Sequence, residues 1–222
     1  PDLIGVTLPH EHLFIDFWVP LDQPGRWEKL GVKPPETVEE IEIWHQKITA
    51  RNRTRMMKHF HRNRDGFTLD SLDDTITEVL AYRQLGGKTI VDVTTIGLNR
   101  QPKKLHEVAL KTGVNIIMGT GFYRAPWHPE DMDNRSVSNL TEQMVREIVE
   151  GINDTGVKAG IIGEIPAEHL VFDPKDSNEV KVLRAAARAS QLTGAAITLH
   201  SSFSNLGHIR RSVDILEEEG AD

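Results

Sequence analysis

Two histidines separated by one residue, His10 and His12, are the first candidates for chemistry in this sequence. They directly follow a predicted strand, and alternate residues of an extended segment point the same way, so both imidazoles can face one ion. The chain holds ten histidines, and two of them close together can also have a structural role. Further ligands are needed to decide between these interpretations.

Glu164 and His200 are the further ligands that the sequence offers. Glu164 lies inside the apolar run 161–165, where a carboxylate is costly to bury without a cation or a hydrogen-bond donor. His200 ends another apolar run, and functional groups of parallel α/β proteins collect at the carboxyl ends of strands. Taken singly, Glu164 can be a salt-bridged core carboxylate and His200 a hydrogen-bonded core histidine. Four nitrogen and oxygen ligands at three strand ends favour a metal site.

Short β-branched runs must position these residues, and a segment with helical periodicity follows each run. The predicted strands are 4–8, 89–93, 114–118, 160–165 and 196–200. Pro102 can open one helix and Ser138 can cap the next. Asp176 with Glu179 is typical of a capping box for the fourth helix, and the last helix begins near Asn205. This alternation predicts a parallel sheet covered by helices, either doubly wound or a barrel, and the spacing does not decide between them.

Length and composition predict one domain over 1–222, interrupted at about 18–66 by a helical insertion rich in Trp, Arg and His. A net charge of -7 argues against a nucleic-acid partner, so the basic run 51–64 is interpreted as a solvated helical face. The absence of cysteine leaves only nitrogen and oxygen ligands for a metal. Without a long apolar run or a signal-peptide layout, the expected location is cytoplasmic, away from membranes.

Longer motifs around these residues resemble the phosphotriesterase family of the amidohydrolase superfamily, and in particular its phosphotriesterase homology protein branch. The motifs are Thr7-Leu8-Pro9-His10-Glu11-His12-Leu13, Gly119-Thr120-Gly121-Phe122-Tyr123, Lys158-Ala159-Gly160-Ile161-Ile162-Gly163-Glu164-Ile165 and Leu183-Arg184-Ala185-Ala186-Ala187-Arg188-Ala189. The resemblance implies a TIM (β/α)8 barrel, here its first five units, with two divalent metal ions, zinc first and Co²⁺ or Mn²⁺ as alternatives. It also implies that His10 and His12 bind one ion, that Glu164 bridges both, and that His200 binds the other.

The sequence departs from the family pattern in two places. Gly163 stands where well-known relatives have a carboxylated bridging lysine, and Glu164 is expected to bridge directly instead. The chain ends before the histidine of strand six and the aspartate of strand eight that the family uses. His208 does not replace that histidine, because it lies at the start of a helix. A five-stranded piece would leave two open edges, so the chain is interpreted as an incomplete copy of a longer protein.

Other residues are candidates for the substrate site. Tyr123 stands where the lactonase-like relatives place a tyrosine beside the substrate, which implies a catalytic and substrate-binding role, although packing at the barrel top is equally open. Trp127 and His128 lie in a proline-flanked loop that can line the pocket. Arg100 can meet an anionic substrate or, as we favour, cap the next helix. Asp92 is interpreted as an inward polar residue that contacts a group behind the ligands.

The resemblance implies a hydrolase in which a hydroxide shared by two metals attacks a phosphotriester, a lactone or a related ester. Hydrolysis of N-acyl amides by the same site is an alternative. A further alternative, from another class, is a barrel relative without catalysis that acts as a binding protein. The expected partner is therefore a small molecule, and a homodimer is compatible with this function.

Overall fold

The structure, a computed structural model, describes residues 4–19, 27, 33–166, 178–200 and 206–221. Its strands are Val6–Glu11 (β1), Ile15–Asp16 (β2), Thr68–Leu69 (β3), Gly87–Asp92 (β4), Asn115–Thr120 (β5), Ile161–Pro166 (β6) and Ile197–His200 (β7). Its α-helices are Val38–His45 (α1), Arg53–Met57 (α2), Leu72–Gln84 (α3), Pro102–Thr112 (α4), Val137–Val149 (α5), Asn178–Thr193 (α6) and Leu206–Glu218 (α7).

A parallel sheet joins the main strands in the order β1-β4-β5-β6-β7, which is also their order along the chain. Right-handed crossovers that always advance in one direction place all the connecting helices on one face of the sheet. A doubly wound sheet would reverse its strand order at a switch point. The strand order therefore favours a barrel over a doubly wound sheet, a choice that the spacing of the elements in the sequence left open.

Apolar side chains fill the layer between this sheet and its helices. One cluster surrounds Ile162 and Leu183, and a second surrounds Ile90 and Val108, all of which are buried. Neighbouring helices also pack on one another, α3 against α4 and α6 against both α5 and α7. The sheet is therefore supported from its helical side, which leaves its strand ends to carry polar groups.

The first strand extends beyond its predicted end, so that His10 lies within β1 and His12 directly after it. The extension arises because Glu11 pairs with Asp92 of β4 after a register shift that follows Leu8. Pro9 falls in this irregular stretch, where its missing N–H interrupts no regular ladder. The shift thereby brings the two histidines to the carboxyl end of the sheet.

Most helix boundaries agree with the sequence patterns. Pro102 opens α4, which ends at Gly113 with φ of 68°. The cap predicted at Ser138 is wrong: Ser136 caps α5, because its side chain and that of Asn139 exchange hydrogen bonds with each other's backbone N–H. The predicted starts at Asp176 and Asn205 lie outside the described residues.

The described part of the stretch 18–66 contains helices α1 and α2 and short 3-10 turns. The antiparallel strands β2 and β3 pair across its base, Ile15 with Leu69 and Asp16 with Thr68. Within the part of the chain that the structure describes, no helix is long and apolar enough to span a membrane.

Candidate metal centre

Three histidines surround the carboxylate of Glu164 at the carboxyl ends of β1, β6 and β7. Its Oε2 lies 3.1 Å from His10 Nε2 and 2.7 Å from His200 Nδ1, and its Oε1 lies 3.4 Å from His12 Nε2. The side chain of Glu164 is only 2% exposed, whereas the histidines are partly exposed. The four predicted ligands therefore converge on one buried negative charge that is open to solvent on its histidine side.

Glu164 remains ionised in this environment. Burial by itself would raise the pKa of the carboxyl, but hydrogen bonds from His12 and His200 outweigh it and lower the pKa to about 2. A buried carboxylate that stays charged attracts cations strongly. This charge is what a metal ion at the strand ends would neutralise.

The donor atoms of His10, His12 and Glu164 lie within 4.8 Å of one another, close enough for a single metal ion. Two imidazoles and a carboxylate fit the preferences of Zn²⁺, and Co²⁺ and Mn²⁺ accept the same donors. His200 contacts the same oxygen of Glu164 as His10 does and is not part of this group of three. These residues thus suit one ion directly, and the second ion stays a prediction.

A backbone irregularity at Gly163 aims Glu164 at the histidines. The register of β6 against β7 shifts between Ile162 and Ile165, and Gly163 has φ of 136°. A Cβ at Gly163 would lie 2.5 Å from the backbone oxygen of Thr198, so no side chain fits there. A bridging lysine at position 163 is therefore sterically excluded by this backbone, and the carboxylate comes from the next residue.

The tyrosine predicted for catalysis adjoins the cluster through His200. The hydroxyl of Tyr123 lies 3.1 Å from His200 Nε2, and the two rings are 4.9 Å apart. Since the carboxylate of Glu164 can only accept, His200 donates from Nδ1, and its Nε2 accepts from the tyrosine hydroxyl. A polar chain therefore runs from Tyr123 through His200 to Glu164.

An aromatic wall, formed by Phe17, Tyr123 and Trp127, continues from this chain. The ring centroid of Trp127 lies 5.4 Å from that of Tyr123 and 5.7 Å from that of Phe17. The Trp127 Nε1–H also donates to the Phe17 carbonyl at 2.8 Å. Trp127 thus contacts Tyr123 and stands one ring further from the histidines.

Arg100 takes no part in this cluster. Its Nη1 lies 2.8 Å from Glu147 Oε2 and donates to the Gly119 carbonyl at 3.1 Å, and both charged side chains are only 7% exposed. The structure therefore gives Arg100 a buried ion pair, and neither of the two roles that the sequence left open. It is not a helix cap either, because α4 is preceded by Gln101.

His128 is buried behind Tyr123, and its Nε2 donates to the Tyr123 carbonyl at 2.5 Å. Burial lowers the pKa of His128 to about 4, against the raising effect of its contact with the Tyr123 carbonyl. The neutral imidazole therefore helps to hold the Tyr123 loop, and a proton on it is costly.

We expect His128 to make the protein acid-sensitive. Because the pKa is lower in the folded state than in the unfolded one, the stabilisation is complete above about pH 6.5 and is lost as the pH falls toward 4. From about pH 7.5 to pH 5, the free energy of unfolding should fall about 2 kcal/mol less in His128→Gln than in wild type. Denaturant unfolding measures this difference, and the exposed His106→Gln serves as control. Equal pH dependence of His128→Gln and wild type would contradict the assignment.

Sequence patterns did not identify Phe17 and Thr94 as neighbours of the site. Thr94 contacts His12 Nδ1 at 2.9 Å, and its place just after β4 matches the position of the predicted ligands on their strands. Phe17 follows β2 at the start of the insertion, and no pattern in the sequence links it to Tyr123. Thr94 could have been identified from its position just after a strand. Only the folded structure shows that Phe17 contacts Tyr123.

Comparison with known proteins shows the family of this chain and supports its fold. The sequence profile described as "Phosphotriesterase family" matches residues 1–222. An N-acetyltaurine hydrolase from Dictyostelium discoideum is 30% identical over 232 residues, which cover 100% of this chain and 61% of that protein. The chain therefore spans about three-fifths of the length of this relative.

Two solved structures share the fold. A resiniferatoxin-binding protein from Rhodobacter sphaeroides has a TM-score of 0.83 and 32% identity, over 99% of this chain and 57% of that one. The phosphotriesterase homology protein from Escherichia coli, complexed with phosphate in its active site, has a TM-score of 0.71 and 28% identity, over 100% of this chain and 61% of that one. The five-stranded parallel sheet thus corresponds to part of a TIM barrel, as the motifs implied.

Proposed function

The chain belongs to the phosphotriesterase family, and on this premise we propose that the protein is a metal-dependent hydrolase of small N-acyl amides or esters. The observation that carries the proposal is the buried carboxylate of Glu164 with His10, His12 and His200 around it at the strand ends. Amides stand first because a relative that the whole chain matches is named an N-acetyltaurine hydrolase.

Each residue has a defined part in the proposed reaction. His10, His12 and Glu164 would hold one divalent cation, and His200 with Glu164 would contribute to holding a second. When bound, such ions activate water and polarise the oxygen of the group under attack. Glu164 would balance their charge. The Tyr123 hydroxyl, which donates to His200 Nε2 in this structure, would turn from His200 to donate to the substrate oxygen. The aromatic wall of Phe17, Tyr123 and Trp127 keeps water from that side of the substrate.

Phosphotriesters and lactones are the second candidate substrates. The phosphate in the active site of the Escherichia coli structure favours this class, because it shows that a site in a protein of this fold accepts a tetrahedral oxyanion. A protein that binds a ligand without turning it over is the remaining alternative, and the Rhodobacter sphaeroides protein is described as a binding protein.

The proposal is tested on the full-length protein stripped with a chelator and reloaded with Zn²⁺, Co²⁺ or Mn²⁺. We expect N-acetyltaurine to be hydrolysed only after reloading, and we expect slower turnover of a lactone and an aryl dialkyl phosphate. Metal-free protein with full activity would overturn the metal mechanism. A loaded protein that binds metal and hydrolyses none of the three would favour the binding-protein alternative.

Tyr123→Phe, assayed in the same experiment, separates catalysis from packing. Loss of the hydroxyl should lower kcat by about ten- to hundredfold with the metal content unchanged. Tyr82 is the only other tyrosine, and its hydroxyl donates to the carbonyls of Val6 and Thr89, away from the histidines. Tyr82→Phe should lower stability and leave kcat as it is. Equal kcat in both variants would assign Tyr123 to packing alone.

A further inference from the structure

The segment 92–94, at the end of β4, contacts both of the strands that carry the metal-ligand group of His10, His12 and Glu164. The Thr94 hydroxyl lies 2.9 Å from Nδ1 of His12, the ring nitrogen that faces away from Glu164. Thr94 is fully buried, so its hydroxyl does not exchange this partner for bulk water. The contact therefore holds the His12 ring from behind.

Asp92 holds the two residues next to this contact. Its Oδ2 accepts from the backbone N–H of Leu13 at 2.7 Å, and its Oδ1 accepts from that of Thr94 at 3.1 Å. Burial raises the pKa of Asp92, and the hydrogen bonds from the backbone N–H groups of Leu13 and Thr94 oppose that rise. When His12 Nε2 binds a cation, Nδ1 carries the proton of the ring and donates it to the Thr94 hydroxyl.

The main chain of Val93 links the histidine strand to the carboxylate strand. Its N–H donates to the carbonyl of Glu11, between the two histidines, at 2.9 Å. Its carbonyl accepts from the N–H of Glu164 at 3.0 Å, although β5 lies between β4 and β6 in the sheet. The main chain of one residue therefore links the two strands and sets the spacing between His12 and Glu164.

We propose that Asp92, Val93 and Thr94 form a positioning segment that fixes the spacing of His12 and Glu164 and keeps His12 Nε2 available for a cation. The inference rests on the proposed metal site and adds residues that do not themselves bind the metal. Partners behind metal-ligating histidines fix the tautomer and the ring orientation, and their loss weakens metal binding. Thr94 is the member of the segment that can be altered without moving the main chain.

Thr94→Val in the full-length protein removes the hydroxyl and keeps the shape of the side chain. We expect its Zn²⁺ affinity, measured by competition with a chelator, to fall by about tenfold or more. The visible spectrum of the Co²⁺-loaded variant should also shift, because the ligand field reports the orientation of His12. Thr94→Ser restores the hydroxyl and should return both the affinity and the spectrum toward wild type.

Thr95 provides the matched control, since it is the next residue and is also fully buried. Its hydroxyl has no hydrogen-bond partner in the described part of the chain, so Thr95→Val should leave Zn²⁺ affinity unchanged. Equal Zn²⁺ affinity of Thr94→Val and Thr95→Val, or failure of Thr94→Ser to restore binding, would overturn the positioning role alone. Wild-type protein that binds no Zn²⁺ would overturn the proposed function together with this inference.

Discussion

Replacement of Glu164 by Gln should abolish metal-dependent turnover while the fold persists. The amide has the shape and volume of the carboxylate but lacks the charge that faces His10, His12 and His200. Loss of that charge removes several kcal/mol of cation binding, so we expect turnover to fall by about a thousandfold. Metal analysis after dialysis should show the second equivalent lost first. Assays of amide, lactone and phosphotriester substrates should show the same loss.

Glu147→Gln is the control for this prediction because Glu147 is also a buried glutamate held by a cationic partner. Its ion pair with Arg100 lies outside the cluster, and the change leaves that guanidinium without its carboxylate. A loss of about 3–5 kcal/mol of stability is expected, with metal content retained. If Glu164→Gln instead lost only stability and kept its metals, Glu164 would be a core carboxylate paired with histidines.

Glu11→Gln alters the carboxylate that lies between His10 and His12 in the sequence. This variant should keep both metal and turnover, since Glu11 is outside the metal-ligand group.

Glu164→Lys tests whether a carboxylated lysine can replace the glutamate. Carbon dioxide converts such a lysine into a carbamate, so the variant is assayed with added bicarbonate. Recovery of metal content with bicarbonate would show that the lysine tip reaches the same depth as the carboxylate.

The residues of the candidate metal centre could be predicted because the free-energy cost of burying their polar groups depends on the local sequence. A glutamate inside an apolar strand and histidines at strand ends need partners wherever the chain folds, and parallel strands bring those ends to one edge. The sequence therefore indicated which residues converge. It did not indicate that Glu164 Oε2 faces both His10 and His200, because this depends on a register shift within β6.

Arg100 shows why the substrate contacts were harder to predict. An arginine in the loop after β4 can turn toward the strand ends or toward the helices, and its neighbours in sequence are the same in both cases. The buried Glu147, 47 residues away on α5, decides the matter. The prediction of the N-cap of α5 was wrong for a related reason. Ser136 and Ser138 both precede an apolar stripe, but only Ser136 has Asn139 three residues further on.

Gly119 is a glycine in the interior of a strand, and its effect on the metal centre was not predicted from the sequence patterns. It lies on β5, between β4, which Val93 follows, and β6, which carries Glu164. A Cβ at this position would lie 2.2 Å from the backbone oxygen of Gly163. The missing side chain lets β6 lean across β5 until the Glu164 N–H meets the Val93 carbonyl at 3.0 Å. A glycine in a strand interior often marks such a close backbone approach.

Gly119→Ala should therefore damage the metal centre through the main chain. Backbone cannot rotate away as a side chain can, so the Gly163 carbonyl must move by about 1 Å and carry Glu164 with it. We expect Zn²⁺ affinity and turnover to fall by about a hundredfold, with a stability cost of about 1–3 kcal/mol from overpacking. Metal titration, activity and denaturant unfolding of the full-length variant measure these three effects.

Gly194→Ala is the control that separates this effect from ordinary loss of stability. Gly194 follows α6 with φ of 72°, and a Cβ added there would meet no described atom within 4 Å, so alanine strains only its own backbone. That strain costs about 1–2 kcal/mol and should leave Zn²⁺ affinity and turnover unchanged. If both variants lost similar stability and Gly119→Ala still bound Zn²⁺ as wild type does, the approach of β6 over Gly119 would not set the position of Glu164. A selective loss of binding in Gly119→Ala would instead show that a glycine without any chemistry of its own sets the position of the Glu164 carboxylate.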